Sequence, residues 1–228
     1  MPASILAWPS CQTEGVQSRH ERLARARLYL VCDEQPDWFF LAALRGGVDI
    51  VQLRMKQASQ GEVLRVAARV AQACRAHGAL FILNDRPDLV AEAGADGVHV
   101  GQDDVPVDSA RRTVGPDRIV GLSTHSEEQI RAATGVDYIG VGPVHETPTK
   151  PGRPAVGLKL VRYAAAHAGA PFFAIGGITN QNVAAVRAAG ATRIAVVRAL
   201  TESSEPQAAA HRLRSALASG REALVGSA

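Results

Sequence analysis

The alternation of short apolar runs with helical segments is the feature that most constrains the fold of this chain. Eight runs rich in apolar and β-branched residues recur after residue 27, at Leu28–Cys32, Asp49–Leu53, Leu80–Leu83, Gly97–Val100, Arg118–Leu122, Tyr138–Gly142, Phe172–Gly177 and Arg193–Val197. Several are apolar on both faces, which is typical of parallel strands covered by helices. Helical segments follow them, most clearly Glu62–His77, whose apolar residues fall on one stripe. Eight such units close a barrel, so the sequence predicts an α/β fold, a single (β/α)8 TIM barrel with parallel strands; a doubly wound open sheet is the alternative.

The two ends of the chain lack this alternation. Residues 1–27 contain Pro2 and Pro9 and no strand-like run, which predicts a loose, poorly ordered N-terminal leader that ends in a short helix. We therefore divide the chain into this leader, a barrel domain at residues 28–220 and a C-terminal tail at residues 221–228.

Composition excludes several classes of partner. The 228 residues carry a formal net charge of +3, with Lys and Arg spread along the chain, which argues against nucleic acid and suits anionic small molecules. No apolar run reaches transmembrane length, and the N-terminal stretch lacks the pattern of a signal peptide. Cys11, Cys32 and Cys74 are odd in number and lack metal-ligand spacing. We therefore expect a cytoplasmic protein without a membrane partner or a disulfide framework, and a homo-oligomer stays open.

Charged side chains follow the second, third and fourth predicted strands. Arg54 and Lys56 follow the second strand, and both residue types bind phosphate oxygens. Asp85 follows the third strand and Asp104 the fourth. Carboxylates at neighbouring strand ends can share one Mg²⁺ ion with substrate phosphate oxygens. The alternative is that they form salt bridges with nearby arginines.

The later strands are followed by hydroxyls, glycines and backbone amides. Ser123 and His125 follow the fifth strand, and a Pro-rich loop at residues 142–153 follows the sixth. Gly177 follows the seventh strand and Arg198 the eighth, where barrels commonly bind phosphate. A metal-bound diphosphate on one side and a monophosphate on the other indicate transfer of an organic group from a diphosphate to a phosphorylated acceptor.

Six motifs in order resemble the thiamine-phosphate synthase family, also called thiamine-phosphate pyrophosphorylases. They are Gln-Leu-Arg-x-Lys at 52–56, Asn-Asp-Arg at 84–86, Gly-Val-His-x-Gly-Gln-x-Asp at 97–104, Gly-x-Ser-x-His at 121–125, Gly-Pro with Thr-Pro-Thr-Lys at 142–150, and Ile-Gly-Gly-Ile at 175–178. The resemblance covers residues from about 28 to 218.

This resemblance implies a transferase of thiamine biosynthesis. Its reaction joins 4-amino-2-methyl-5-hydroxymethylpyrimidine diphosphate to hydroxyethylthiazole phosphate and releases thiamine phosphate and diphosphate. The family chemistry is dissociative and assisted by one Mg²⁺ ion: diphosphate leaves, and the thiazole nitrogen captures a pyrimidine-methyl cation. The implied partners are therefore two small-molecule substrates.

The resemblance also implies roles for individual residues. The residues implied to bind the pyrimidine diphosphate are Gln52, Leu53, Arg54, Met55, Lys56, Asn84, Ser123 and Lys150. Those implied to bind the thiazole phosphate are Thr147, Pro148, Thr149, Gly177, Val197 and Arg198. Those implied to act in catalysis are Arg54, Lys56, Ser123 and Lys150, and the implied Mg²⁺ ligands are Asp85 and Asp104.

Two residues depart from the family pattern. Met55 stands where the first motif commonly has an acidic residue, which changes the local charge. Arg198 stands where many members have Ser, which changes how the acceptor phosphate is held.

Three other functions are alternatives to the synthase. A thiazole tautomerase of the same fold would use His125 as a proton shuttle. Such an enzyme binds no diphosphate, so the presence of both carboxylates, Lys150 and Ser123 argues against it. A non-catalytic barrel that binds thiamine precursors would not need these charged groups. A hydrolase would pair Ser123 with His125, yet no third residue is visible to orient that histidine. His99, in the middle of the fourth strand, is interpreted as an interior histidine with satisfied hydrogen bonds rather than as a ligand-binding residue.

Overall fold

Eight parallel strands close into a barrel. The computed structural model describes residues 17–146 and 154–218. The strands are β1 (Leu28–Cys32), β2 (Ile50–Leu53), β3 (Leu80–Asn84), β4 (Gly97–Val100), β5 (Ile119–Thr124), β6 (Tyr138–Val141), β7 (Phe172–Ile175) and β8 (Ile194–Val196). Each strand pairs with the next, and β8 returns to β1, with Leu30 opposite Val196. The predicted TIM barrel is confirmed, and the open sheet is excluded because the first and last strands are hydrogen-bonded to each other.

Helices surround the barrel. They are α1 (Arg19–Arg25), α2 (Asp37–Arg45), α3 (Gln60–Ala76), α4 (Val107–Val114), α5 (Glu127–Ala132), α6 (Gly157–His167), α7 (Val183–Ala188), α8 (Arg198–Thr201) and α9 (Pro206–Ala218), with a 3-10 turn at Pro87–Leu89. The sequence explains the start of α3 well. The Ser59 side chain accepts from the backbone N–H of Glu62, and the Glu62 carboxylate accepts from the backbone N–H of Ser59. This capping box satisfies N–H groups that a helix start leaves without partners.

The first helix belongs to the barrel domain. Leu23 of α1 is buried among side chains of the barrel interior. Arg19 and Arg22 of the same helix pair with Asp96, at 2.9 and 3.0 Å. The described fold therefore begins before the predicted boundary at residue 28, because one apolar side chain and two arginines attach α1 to the barrel. Residues 1–16 and 219–228, which hold most of the predicted leader and the predicted tail, lie outside the described residues.

Side chains of each strand alternate between the barrel interior and the layer of helices. Tyr29, Ile50, Ile82 and Phe173 belong to the interior cluster. Their strand neighbours, such as Leu30, pack in a larger cluster together with the helices. This alternation follows from the period of two in a strand. It decides which residues can face a ligand inside the barrel.

Three aspartates form ion pairs and backbone hydrogen bonds at the face of the barrel where the strands begin. Asp49, Asp96 and Asp137 each stand just before an even-numbered strand. Asp49 pairs with Arg214, and Asp137 pairs with Arg111. Each of the three carboxylates also accepts from a backbone N–H of the preceding strand or its lead-in. Such contacts serve stability, since barrel enzymes place their chemistry at the opposite face.

The described cysteines are structural. Cys32 and Cys74 are both buried as free thiols. Burial raises the pKa of the Cys74 thiol to about 12, and burial likewise raises the pKa of Cys32. Both thiols therefore stay protonated and unreactive at neutral pH. Within residues 17–146 and 154–218, no helix is long and apolar enough to cross a membrane.

Candidate active site

A cavity opens at the face of the barrel where the strands end. It has a volume of about 250 Å³, and residues of all eight strands or of the loops that follow them line it. Seven predicted site residues line this cavity: Gln52, Arg54, Asn84, Ser123, Gly177, Val197 and Arg198. They come from distant parts of the sequence and meet because parallel strands end at one face.

A lysine lies between two carboxylates beside the cavity. The Lys56 ammonium is 2.8 Å from Asp85 Oδ2 and 3.7 Å from Asp104 Oδ1. Asn84, which lines the cavity, donates to Asp85 Oδ2 at 2.6 Å. The predicted pairing of the two carboxylates is therefore present in the structure. Lys56 pairs with both carboxylates, whereas the nearby arginines Arg86 and Arg111 pair with Asp88 and Asp137.

The backbone around these carboxylates is unusual. Asp85 has a φ of 59°, in the left-handed region that few residues other than glycine adopt. Its N–H donates to the carbonyl oxygen of His99 at 2.9 Å, which ties the end of β3 to β4. The Gly101 N–H donates to Asp104 Oδ2 at 3.0 Å, and a Cβ at Gly101 would collide with that oxygen. Local backbone geometry thus fixes both carboxylates in place.

The Asp85 carboxyl is perturbed. Burial raises its pKa above the ordinary range by disfavouring the charged form. The Lys56 ammonium acts in the opposite direction, and the neighbouring Asp104 carboxylate raises the pKa further. Two carboxylates that repel each other beside a cavity favour binding of a cation.

Two predicted contacts face away from the cavity. The Leu53 side chain is buried in the outer cluster between the barrel and the helices. Met55 is packed against the same cluster. The strand alternation that turns Gln52 inward turns Leu53 outward, so the Leu53 side chain cannot contact a ligand inside the barrel.

Five polar side chains form a hydrogen-bonded chain across the bottom of the cavity. Gln52 Nε2 donates to the Tyr29 hydroxyl at 2.6 Å, and the Tyr29 and Tyr138 hydroxyls are 2.8 Å apart. The Tyr138 hydroxyl is 2.9 Å from Nδ1 of His99, and Nε2 of His99 is 2.9 Å from the Ser123 hydroxyl. His99 was predicted to be an interior histidine with satisfied hydrogen bonds, and the structure confirms this, since the ring is buried and both of its nitrogens have partners. The sequence did not indicate that these partners connect Ser123 to two buried tyrosines.

Glycines that follow β7 and Arg198, which follows β8, form one side of the cavity. Gly177 has a φ of 62°, and a Cβ there would collide with His145, so this position requires glycine. Arg198 is the first residue of α8 and lines the cavity. In the described part of the chain, no ion pair joins Arg198 to Glu202 or Glu205. Four other predicted residues, Thr147, Pro148, Thr149 and Lys150, lie outside the described residues.

His125 also lines the cavity, and hydrogen bonds hold both its backbone and its ring. Its N–H donates to the side-chain oxygen of Gln129 at 2.7 Å, and its Nδ1 is hydrogen-bonded to the carbonyl oxygen of Gly142. A carbonyl oxygen only accepts, so Nδ1 of His125 carries a proton. Ser123 has its histidine partner in His99 instead of the residue two positions along the chain.

Comparison with known proteins identifies the family. A family model described as thiamine monophosphate synthase matches residues 28–200. The chain belongs to this family. A thiamine-phosphate synthase of Acidothermus cellulolyticus is 52% identical over 205 residues, which cover 86% of this chain and 97% of that protein. One of Mycobacterium tuberculosis is 50% identical over 218 residues, covering 87% of this chain and 98% of that protein.

Solved structures agree with the family and with the fold. The thiamine phosphate pyrophosphorylase of Pyrococcus furiosus superposes with a TM-score of 0.78 at 30% identity, covering 87% of this chain and 97% of that one. A 3-hexulose-6-phosphate synthase superposes with a TM-score of 0.60 at 20% identity, covering 83% of this chain and 99% of that one. The second likeness concerns the barrel alone.

Proposed function

We propose that this member of the thiamine monophosphate synthase family is itself a thiamine-phosphate synthase. It joins the pyrimidine diphosphate to the thiazole phosphate and releases diphosphate, in the cytoplasm. The names of its relatives support this proposal. The structural observation that carries it is the group of Asp85, Lys56 and Asp104 beside a barrel cavity, because these charges suit a diphosphate bound with a cation.

The donor set fits Mg²⁺. Asp85 and Asp104 offer hard oxygen atoms, and Lys56 already places a positive charge between them. Among the described residues, no group of three or more His, Cys, Asp and Glu side chains could hold a metal ion. Mg²⁺ commonly takes one or two carboxylates and completes its shell with water and phosphate oxygens. When bound, it would offset the negative charge of the diphosphate.

The chain's own residues serve the departure of diphosphate. The bond from the pyrimidine methylene carbon to the diphosphate oxygen breaks, and its electron pair leaves with the diphosphate. Arg54, Lys56 and Ser123 are assigned to the growing negative charge, because preorganised cations and hydrogen-bond donors stabilise such a transition state. The thiazole nitrogen then forms the new bond with its lone pair. It carries no proton, so this step needs no general base.

The walls of the cavity protect the reactive carbon. Tyr29, Tyr138 and Phe173 line the cavity and pack edge to face, with ring centroids 5.3 to 5.8 Å apart. Their apolar ring surfaces would exclude water from a pyrimidine bound against them. Water would otherwise capture the cation and give the alcohol in place of thiamine phosphate.

Incubation with both substrates is expected to give thiamine phosphate, and only when a divalent cation is present. The two carboxylates and the diphosphate would otherwise repel one another. Product and released diphosphate are measured by chromatography with Mg²⁺, with excess chelator, and after Mg²⁺ is restored.

Each alternative gives a different result. Full turnover in excess chelator would contradict the Asp85 and Asp104 assignment. Isomerisation of a thiazole phosphate without use of the diphosphate would indicate the tautomerase. Binding of both substrates without product, at any Mg²⁺ concentration, would indicate a non-catalytic barrel.

Replacing Arg198 with Ser is expected to raise the Michaelis constant for the thiazole phosphate. A guanidinium can give a phosphate two charge-assisted hydrogen bonds where a serine gives one neutral bond. We expect a loss of roughly 1–2 kcal/mol in binding, since backbone amides would remain. The Michaelis constant for the pyrimidine diphosphate should change little. Steady-state kinetics with each substrate varied in turn gives both constants.

Arg212→Ser on α9 is the matched control for the lost charge. Arg212 is exposed on an outer helix and is absent from the cavity lining. If Arg198→Ser and Arg212→Ser changed the Michaelis constant for the thiazole phosphate to the same extent, the acceptor phosphate would not be bound by Arg198.

A further inference from the structure

Three buried residues without an assigned role connect two substrate residues. Gln52 and Ser123 lie at the ends of the hydrogen-bonded chain described above, and Tyr29, Tyr138 and His99 lie between them. Gln52 is 3% exposed, His99 is 9% exposed, and the two tyrosines are almost completely buried. Their hydrogen bonds therefore depend on one another rather than on bulk water.

The number of available protons determines which group donates at each step of this hydrogen-bonded chain. Gln52 donates to the Tyr29 hydroxyl through its amide nitrogen, which cannot accept a hydrogen bond. The Tyr29 hydroxyl therefore donates its single proton to the Tyr138 hydroxyl. Among the described residues, Tyr29 has no second acceptor. The proton of Tyr138 then goes to Nδ1 of His99. A neutral imidazole protonated on one nitrogen must therefore carry its proton on Nε2 and donate it to Ser123.

Both tyrosines keep their hydroxyl protons at neutral pH. Burial raises the pKa of both Tyr29 and Tyr138 above the ordinary range, because the charged form would be desolvated. Each therefore contributes one proton at neutral pH. The opposite direction requires the Gln52 amide to rotate and every proton to shift together.

We propose that His99 and Tyr138 are positioning residues that keep the Ser123 proton directed at the leaving diphosphate. Because Ser123 already accepts from His99, its own hydrogen is free to be donated into the cavity. If the chain were reversed, Ser123 would donate to His99 and would offer the diphosphate only lone pairs. This inference rests on the proposed function, since it names how one substrate residue of that site is held.

The benefit comes from preorganisation. A hydroxyl that can rotate freely must turn toward the leaving group as the charge develops. A hydroxyl that already accepts from a histidine N–H has its proton directed away from that histidine before the reaction begins, and the donated bond is strengthened by the accepted one. His99 touches Ser123, and Tyr138 acts through His99.

The protonated nitrogen of His99 can be measured in the substrate-free protein. Nitrogen-15 NMR of the full chain with labelled histidine separates protonated from unprotonated ring nitrogens, and a His99→Gln spectrum assigns the His99 signals by difference. We expect Nε2 to be protonated and Nδ1 to be unprotonated. A His99 protonated on Nδ1 would overturn the proposal, whatever the activity of the protein.

A double-mutant cycle tests whether Tyr138 acts through Ser123. Tyr138→Phe removes one hydroxyl and keeps the packed ring, and we expect it to lower kcat about tenfold. Ser123→Ala should lower kcat about 100-fold. In the Ser123→Ala background, Tyr138→Phe should cost less than about twofold, because no serine remains to be oriented. An equal loss in both backgrounds would mean that Tyr138 is merely structural, and would overturn the proposal.

Tyr163→Phe is the control for removing a tyrosine hydroxyl. Tyr163 lies on α6, where its hydroxyl accepts from Arg131 at 2.7 Å, outside the cavity lining. It should leave kcat unchanged. If the unmodified protein made no thiamine phosphate, the proposed function would fail, and the NMR measurement would still decide the direction of the hydrogen-bonded chain. The same NMR measurement would test the proposal if the Tyr138→Phe variant did not fold.

Discussion

Asp85→Asn is expected to lower turnover by at least about two orders of magnitude and to leave the fold intact. The substitution removes one of the two carboxylate charges beside the cavity, and losing a group that stabilises transition-state charge typically costs about 100-fold or more. Asparagine tolerates the left-handed backbone conformation of this position as aspartate does. It also keeps an oxygen that can accept from Asn84. Charge is therefore the main property that changes.

Asp88→Asn, three residues along the chain, provides the comparison. Asp88 is exposed and pairs with Arg86 at 2.8 Å, away from the cavity lining. Steady-state kinetics over a range of Mg²⁺ concentrations should show a large loss for Asp85→Asn and little change for Asp88→Asn. Circular dichroism checks that both remain folded. Similar rates for the two variants would mean that the cation is bound somewhere else.

The barrel could be predicted because its signal is repeated. Each strand is a short, mainly apolar run, several of them apolar on both faces, and each is followed by a helical segment, so an error at one boundary leaves the count of eight unchanged. A short helix at the end of the leader was predicted, and α1 lies there, but its attachment to the barrel was not predicted. Only Leu23 of α1 is buried, and its other contacts are ion pairs with Asp96. A helix with a single buried apolar residue gives almost no periodic signal in the sequence.

The strand ends were predicted as a site, but inward-facing and outward-facing side chains were not distinguished there. Gln52 and Arg54 line the cavity, whereas Leu53 packs among the helices. A motif read as consecutive residues includes both kinds, since successive side chains of a strand point to opposite faces. Starting from Ile50 as an interior residue and counting in steps of two would have separated them.

The hydrogen-bonded chain was missed for a different reason. Tyr29, His99 and Tyr138 lie within otherwise apolar strands and resemble ordinary core residues in the sequence. Tyr29 and Tyr138 come from β1 and β6, which are not adjacent, so their contact depends on packing across the barrel. The alternation of the strands does turn all three inward. The distances that join them follow only from the three-dimensional structure.

Gly121→Ala is expected to destabilise the protein by about 3 kcal/mol. Gly121 lies in β5 beside the Tyr138 ring, and a Cβ built there would overlap the outer atoms of that ring. Tyr138 is completely buried and packs against Tyr29 and Phe173, so it has little room to move. Inserting a methyl group into a tightly packed interior typically costs about 1–3 kcal/mol, and displacing Tyr138 would also weaken its hydrogen bond to His99.

Gly61→Ala is the matched substitution, because it adds the same methyl group where there is space. Gly61 is exposed near the start of α3, and no atom lies within 4 Å of the added Cβ. Alanine restricts the unfolded chain and favours the helix, so this variant should gain roughly 0.5–1 kcal/mol. Urea denaturation followed by circular dichroism gives both free energies of unfolding, if the transition is two-state. Equal effects at the two glycines would show that the Tyr138 ring can move aside, and would weaken the view that this ring is held rigidly beneath the cavity.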